Sequence, residues 1–400
     1  MPASLSRDQL VELLQHRQPM SLSILSPMDT AGADVRQNPI RFKDALYEGR
    51  QYLEKLGMDP MEIERRLKEP LGWVDQEPFW AHQGQGLAVY ISSEDIRYFR
   101  LPLPVESLVH VGERFYTKPL MRLFNQEGVF YILALSQHES RLYEANRYDV
   151  RSLELVDAPQ SIEELTRFVE EEKDLKFHTM QATPPGDTQM TMGFHGHGVG
   201  ADEELRDQRI AEYCRMVDRS IKRLLLPSEA PLVVAAAEPV RSIYRQNSQY
   251  PGLVRDGIQG NPEMLKPDEL HELAWPIVEP IFERPLAEAL DRFREALGND
   301  MALTDPERVV LAAHDGRIET LIVHAQKHRW GSFDEQRREV QRVDPPMPGH
   351  EDLLDRAAAE TYLHGGRVFV LEPDRMPDPS PTLAVLRYPL PTPAERAEQA

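Results

Sequence analysis

Cysteine is all but absent from this 400-residue chain: Cys214 is the only one, so no disulfide can form within it. Cys214 falls among the apolar positions of an expected helix, which makes it a buried structural thiol rather than a nucleophile. Long apolar runs are missing as well. No stretch reaches the ~18 apolar residues of a membrane span. Residues 1–20 carry charges and lack the continuous apolar core of a signal peptide, so the expected location is the cytoplasm, with no membrane partner. Positive charge is in short supply, with 46 Lys plus Arg against 66 Asp plus Glu and a formal net charge of −20. Such a surface repels phosphates and anionic lipids, which excludes general nucleic-acid coating unless a concentrated basic patch overrides the average. Internal repeats are missing too.

The composition is otherwise that of a folded protein, with 41% hydrophobic and 28% charged residues. The length exceeds one ordinary core and implies two or three domains. Helical periodicity is expected at Ser6–Gln18, Arg41–Leu56 and Met61–Lys68, the last ending at Glu69-Pro70. Together with apolar runs at Gly86–Ile91 and Ile96–Leu101 they make a helical hairpin beside a sheet. Val129–Leu135 and Pro231–Ala237 read as buried strands, Arg141–Ala145 and Ser152–Val156 as their neighbours. Asp202–Leu226 is the strongest helix, with Leu205, Ile210, Cys214, Val217, Ile221 and Leu224 near a 3.6-residue period. A long helix over Pro267–Leu297 is expected to be interrupted or bent near Pro276, Pro280 and Pro285 and to continue through Arg308–His314. Short strands and helices then alternate to the end, as in an α/β sandwich. His364-Gly365-Gly366-Arg367 reads as a helix stop and turn. The domain boundaries expected are 1–105, 106–264 and 265–400.

Three collinear stretches resemble the archaeo-eukaryotic class I peptide-chain release factors, and especially their bacterial relatives. They are Gly86–Ile91 with Arg114-Phe-Tyr-Thr-Lys-Pro-Leu120; Tyr131–Leu135 with Arg141–Tyr143, a Gly-His loop and a helix bearing Arg209 and Tyr213; and Val309–Val323. The resemblance implies an α/β (α+β) fold of three domains: an N-terminal helical-hairpin and sheet domain, an RNase H-like middle domain, and a C-terminal α/β sandwich similar to ribosomal proteins. It further implies a translation-associated factor whose partners are the ribosome, tRNA or a structured RNA. The departures are equally informative. Where the family carries Gly-Gly-Gln, this chain has Gly193-Phe-His-Gly-His-Gly-Val-Gly200, with the glycines but no glutamine. The family's Asn-Ile-Lys-Ser stop-codon motif is also missing. Stop-codon decoding and release-factor ester hydrolysis are therefore not expected.

The candidate functional loop comprises Gly193, His195, Gly196, His197, Gly198 and Gly200. Glycine allows close backbone approach to a ligand, and a histidine near its ordinary pKa can act as base or donor. His178, His195 and His197 offer three imidazoles, but His-x-His inside a glycine run lacks a rigid strand to fix ligand geometry; no metal and no cofactor is expected. Arg215, Arg219 and Arg223, with Lys222, share one side of the long helix and could meet phosphates, although interspersed acids such as Asp218, four residues from Lys222, equally make a solvated, paired face. Arg241, Tyr244, Arg245 and Tyr250 combine cations with aromatics past a buried strand, where bases could stack or side chains simply pack. Three readings follow: an RNA- or ribosome-binding factor without catalysis, an ester hydrolase of tRNA using a loop histidine, and an acidic protein-interaction scaffold.

Overall fold

The computed structural model describes residues 5–81, 83–125, 128–165, 199–226, 229–344 and 347–389. The chain is an α/β protein of several separate sheets, and it divides into two compact units. One combines Met1–Asn125 with Pro285–Ala400, and the other is Gln126–Arg284.

The N-terminal part of the first unit is built on β1 (Ser21–Pro27), β2 (Gly86–Ile91), β3 (Ile96–Leu101) and β4 (Leu108–Gly112), antiparallel in the order β3-β2-β1-β4. Helix Arg7–Gln15 starts in a capping box between Ser6 and Gln9. Helices Asn38–Lys55 and Pro60–Trp73 form the hairpin, whose Phe42, Leu46, Ile63 and Leu67 pack on Leu22, Ile24, Leu87 and Val89. Each such buried side chain contributes roughly 1.5–3 kcal/mol. The second of these helices runs through Pro70 instead of ending before it. Pro70 is itself buried and Trp73 is anchored beyond it, stacked on Phe79 and accepting from the Trp80 indole at its carbonyl. Packing here outweighs the lost backbone bond.

The second unit carries β5 (Phe130–Leu135), β6 (Ser140–Ala145), β7 (Val150–Leu153), β8 (Leu232–Ala236) and β9 (Ile258–Gln259) in the order β7-β6-β5-β8-β9. The first three are antiparallel, and β8 and β9 run parallel to β5. That order is the RNase H-like topology. A parallel pair needs a crossover, and helix Val199–Leu225 lies in it, burying Ile210, Tyr213, Cys214, Val217, Ile221 and Leu225 on one face of the sheet. Leu205 and Leu224 are exposed instead of buried; Tyr213 and Leu225 take the core positions, because the stripe drifts around the helix over 27 residues. The sheet's other face packs Phe130, Ile132 and Val233 on Leu270, Ala274 and Val278.

Helix Pro267–Leu297 is continuous through Pro276, Pro280 and Pro285, correcting the expected interruption. It does not continue into the next helix: Pro306–His314 is separate, capped by Asp305 on the Arg308 amide. The C-terminal part of the first unit adds β10 (Ala302–Leu303), β11 (Ile318–His324), β12 (Trp330–Asp334), β13 (Glu339–Arg342), β14 (Glu351–Asp352), β15 (Arg367–Leu371) and β16 (Thr382–Leu386). They form one sheet ordered β10-β16-β11-β15, on which Leu286, Ala289 and Phe293 of helix Pro267–Leu297 pack, and a smaller one ordered β13-β12-β14, with helix Leu353–Leu363 against β11 and β12. Gly365, at φ 72°, makes the turn from that helix into β15.

Candidate functional site

The Gly193–Gly200 loop, including His195 and His197, and His178 lie outside the described residues except for the first two residues of the helix, Val199 and Gly200. The described part of the candidate site is therefore the helix that follows it. An α-helix turns about 100° per residue, so Arg215, Arg219 and Arg223, four apart, climb its surface about 40° at a time. All three are exposed, opposite the buried stripe. Arg215 donates to the Ala211 carbonyl one turn back, and Arg223 to Asp157 at 2.5 Å. Neither Arg215 nor Arg219 forms an ion pair with an acidic side chain among the described residues. The same helix places Arg206 and Arg209 with Gln137 and Ile162 around a cleft of about 270 Å³.

The acids interspersed on this helix do not all lie on that surface. Asp218 is buried, and its carboxylate accepts from the Tyr244 hydroxyl (3.2 Å), the Ser248 hydroxyl (2.5 Å) and the Gln249 amide (2.9 Å). It fastens the long helix to helix Val240–Asn247 and its exit loop. Lys222 consequently pairs with Gln249 at 3.1 Å instead of with Asp218. This knot bears on the two readings left open for the aromatic set, base stacking and packing. Tyr244 is fully buried, and Tyr250 is 3% exposed with its hydroxyl on the Ala230 carbonyl, so neither presents a ring face for a base. Arg241 is turned onto Glu238 through two hydrogen bonds, while Arg245 is exposed. Burial pushes the Cys214 thiol up to about 12, which leaves it inert near neutral pH.

A second cluster, in the first unit, was not visible in the sequence. Lys118 and Asp352, both with side chains 0% exposed, pair at 3.0 Å. Asp352 also accepts from the Arg329 and Leu354 amides and shares a hydrogen bond with His328. Burial alone would raise its carboxyl; Lys118 and His328 instead hold it below the usual carboxylate range. One helical turn on, Asp355 accepts from the Thr117 amide and hydroxyl and from the Lys118 amide (2.5 Å), at the start of helix Lys118–Asn125. Burial, with Asp352 beside it, pushes Asp355 up to about 7. The next residue, Arg356, holds Glu351 and Glu335, and about a turn beyond it Glu360 is held by Arg114 at 3.2 Å. Residues 114–118 are thus tied to helix Leu353–Leu363 by buried charge. The signal available in the sequence was the row Glu351, Asp352, Asp355, Arg356 and Glu360 in a segment otherwise rich in Leu and Ala.

Residues 129–317 match the family model described as bacterial archaeo-eukaryotic release factor family 3. No curated protein matches the chain. Among solved structures, an archaeal translation termination factor, aRF1, is similar at 15% identity and TM-score 0.25, covering 95% of this chain and 96% of that one. Pelota of Archaeoglobus fulgidus is similar at 11% identity and TM-score 0.32, covering 98% and 95%. A chain from a model of ribosome-bound archaeal Pelota and ABCE1 is similar at 11% identity and TM-score 0.35, covering 97% and 96%. With identities and scores this low, the relation rests on the family match. Through residues 129–317 the chain is similar to the bacterial archaeo-eukaryotic release factors, a translation-related architecture.

Proposed function

From that relation to the release-factor family, we propose that the chain is a cytoplasmic translation-associated factor that docks on the ribosome or on tRNA-like structured RNA and does not decode stop codons. The observation that carries the reading is the arginine ridge Arg215, Arg219 and Arg223 on the helix of the family-matched region. A chain with a net charge of −20 can bind an RNA backbone only through a local concentration of cations, and in this ridge Arg215 and Arg219 have no ion-paired acid among the described residues, while Arg223 is shared with Asp157. The cleft bearing Arg206 and Arg209 extends the basic surface toward the start of the same helix, and the Gly193–Gly200 loop immediately precedes that helix in the chain. The missing Gly-Gly-Gln and Asn-Ile-Lys-Ser motifs argue against a decoding, peptide-releasing role. The partition into 1–105, 106–264 and 265–400 belongs to this proposal, and limited proteolysis would test it.

The deciding experiment is sucrose-gradient co-sedimentation of the full chain with ribosomes at low and moderate salt, with sequencing of the recovered RNA. Association that weakens with salt, and is lost when Arg215, Arg219 and Arg223 are all changed to Glu, is the expected result. Protein that remains at the top of the gradient at both salt concentrations, with no enriched RNA, would overturn the reading in favour of an acidic protein-interaction scaffold.

A further inference from the structure

We propose that His314, Glu335 and Glu360 form a binding site for a divalent transition-metal ion, with one imidazole and two carboxylates as ligands. The three come from separate elements: the last residue of helix Pro306–His314, the residue after β12, and helix Leu353–Leu363. Their ligand atoms all lie within 4.8 Å of one another. His314 Nδ1 and Glu360 Oε2 are 3.5 Å apart. That is long for a hydrogen bond, yet it matches the roughly 3.4 Å between two ligands of a tetrahedral ion bound at about 2.0–2.2 Å.

The independent sign of a missing partner is Glu360 Oε2. The residue is 6% exposed, and this oxygen is buried without a hydrogen-bond donor. Native proteins rarely leave a buried carboxylate oxygen unsatisfied, because it has been stripped of water for no return. The other oxygen of the same carboxylate is well supplied: Arg356 Nη2 lies 3.0 Å from Glu360 Oε1 and 2.5 Å from Glu335 Oε1, and Arg114 Nη1 is 3.2 Å from Glu360 Oε1. The arginines therefore act as outer-shell partners. They orient both carboxylates, as the supporting groups of metal sites do.

The donor set limits the ion. A nitrogen ligand beside two carboxylates suits zinc, manganese or iron better than magnesium, which favours oxygen and retains its water. Three protein ligands leave a coordination position open. The side chains of His314 and Glu335 are 29% and 57% exposed, which gives an ion a path in and room for a water or an anionic ligand. None of these residues belongs to the arginine ridge, so different substitutions test the two proposals.

The test is calorimetric titration of ZnCl2 into chelator-treated, tag-free full-length protein, alongside elemental analysis. Wild type should bind one zinc per chain, and His314→Ala and Glu335→Gln should each weaken binding by about tenfold or more. Glu335 has an exposed side chain, so its variant remains informative even if His314→Ala disturbs packing. The double variant His195→Ala, His197→Ala controls for the Gly-His loop and should bind as wild type. Absence of zinc binding by wild type, unchanged binding in Glu335→Gln and His314→Ala, or loss confined to the loop variant would each overturn the assignment.

Discussion

Two clusters, one in each unit, use arginine and lysine in opposite ways. In the first, Lys118, Arg114 and Arg356 are buried and their charges are spent on carboxylates of the same chain. In the second, Arg215 and Arg219 stand in solvent without an ion-paired acid among the described residues. A buried cation is held by geometry and contributes to stability only while its partner is present. An exposed, unpaired cation contributes little to stability and is available to phosphate. Equal formal charges therefore report different roles, and burial with pairing separates them where charge counts cannot.

The sharpest way to break this contrast is Lys118→Met. It leaves Asp352 buried with only His328 and backbone amides, and should cost about 3–5 kcal/mol, read from urea unfolding. Adding Asp352→Leu in the same chain should recover much of that loss, because an apolar pair has no charge to strand. A loss in the single variant that the second substitution does not relieve would show that packing of the lysine stem, not the charge pair, is what matters. Neither variant should alter RNA association.

The converse experiment acts on the exposed cations. Changing Arg215, Arg219 and Arg223 to Ala should leave the unfolding profile nearly unchanged and weaken RNA or ribosome association by about 10- to 100-fold. The slope of log affinity against log salt should also become shallower by about 2. A variant that unfolds at lower urea but binds as well as wild type would reverse the roles assigned to the two clusters.

How far the sequence reveals each cluster differs for a physical reason. Apolar periodicity locates β5, β8 and the long helix because each signal is contained in a single segment. The same helix exposes the arginine ridge, since spacing alone places residues four apart on one side. The buried cluster joins residues far apart in the chain, Lys118 to Asp352 across 234 positions and Arg114 to Glu360 across 246, and no local pattern encodes that pairing. Pro70 and the three prolines of helix Pro267–Leu297 mislead for a related reason: their helix-breaking tendency is local, while the packing that overrides it is not. Tyr244 stays open between stacking and packing in the sequence because an aromatic between arginines looks the same whether its hydroxyl meets solvent or Asp218.

The pH dependence of stability sharpens the comparison further. Asp355 is pushed up to about 7 from an ordinary 3.8, so it binds its proton more tightly when folded. The stability it contributes is complete below about pH 4 and is lost as pH rises through 7. His110, lowered to about 4 by burial, acts in the opposite direction, since stability lost to its protonation returns as pH rises. The informative quantity is therefore the difference between wild type and Asp355→Asn, in which the amide oxygen can still accept from Thr117 and Lys118. Between pH 4 and 7 the variant should gain on wild type by up to about 1.4 kcal/mol per pH unit. Parallel profiles would show that Asp355 is ionised throughout this range. The arginine variants should show the wild-type profile, because no buried carboxyl depends on them.

The smallest expected effect comes from the point where the exposed ridge meets a buried acid. Asp218 lies on the same helix as Arg215 and Arg219 but faces inward, and the Tyr244 hydroxyl is one of its three donors. Tyr244→Phe removes that one bond while keeping the ring's packing and the other two donors. It should cost about 1 kcal/mol in urea unfolding and leave RNA association intact. If Tyr244→Phe instead reduced RNA binding without changing stability, the ring would have to leave the core on binding, and the boundary between inert and available side chains drawn here would shift from the ridge to the end of β8.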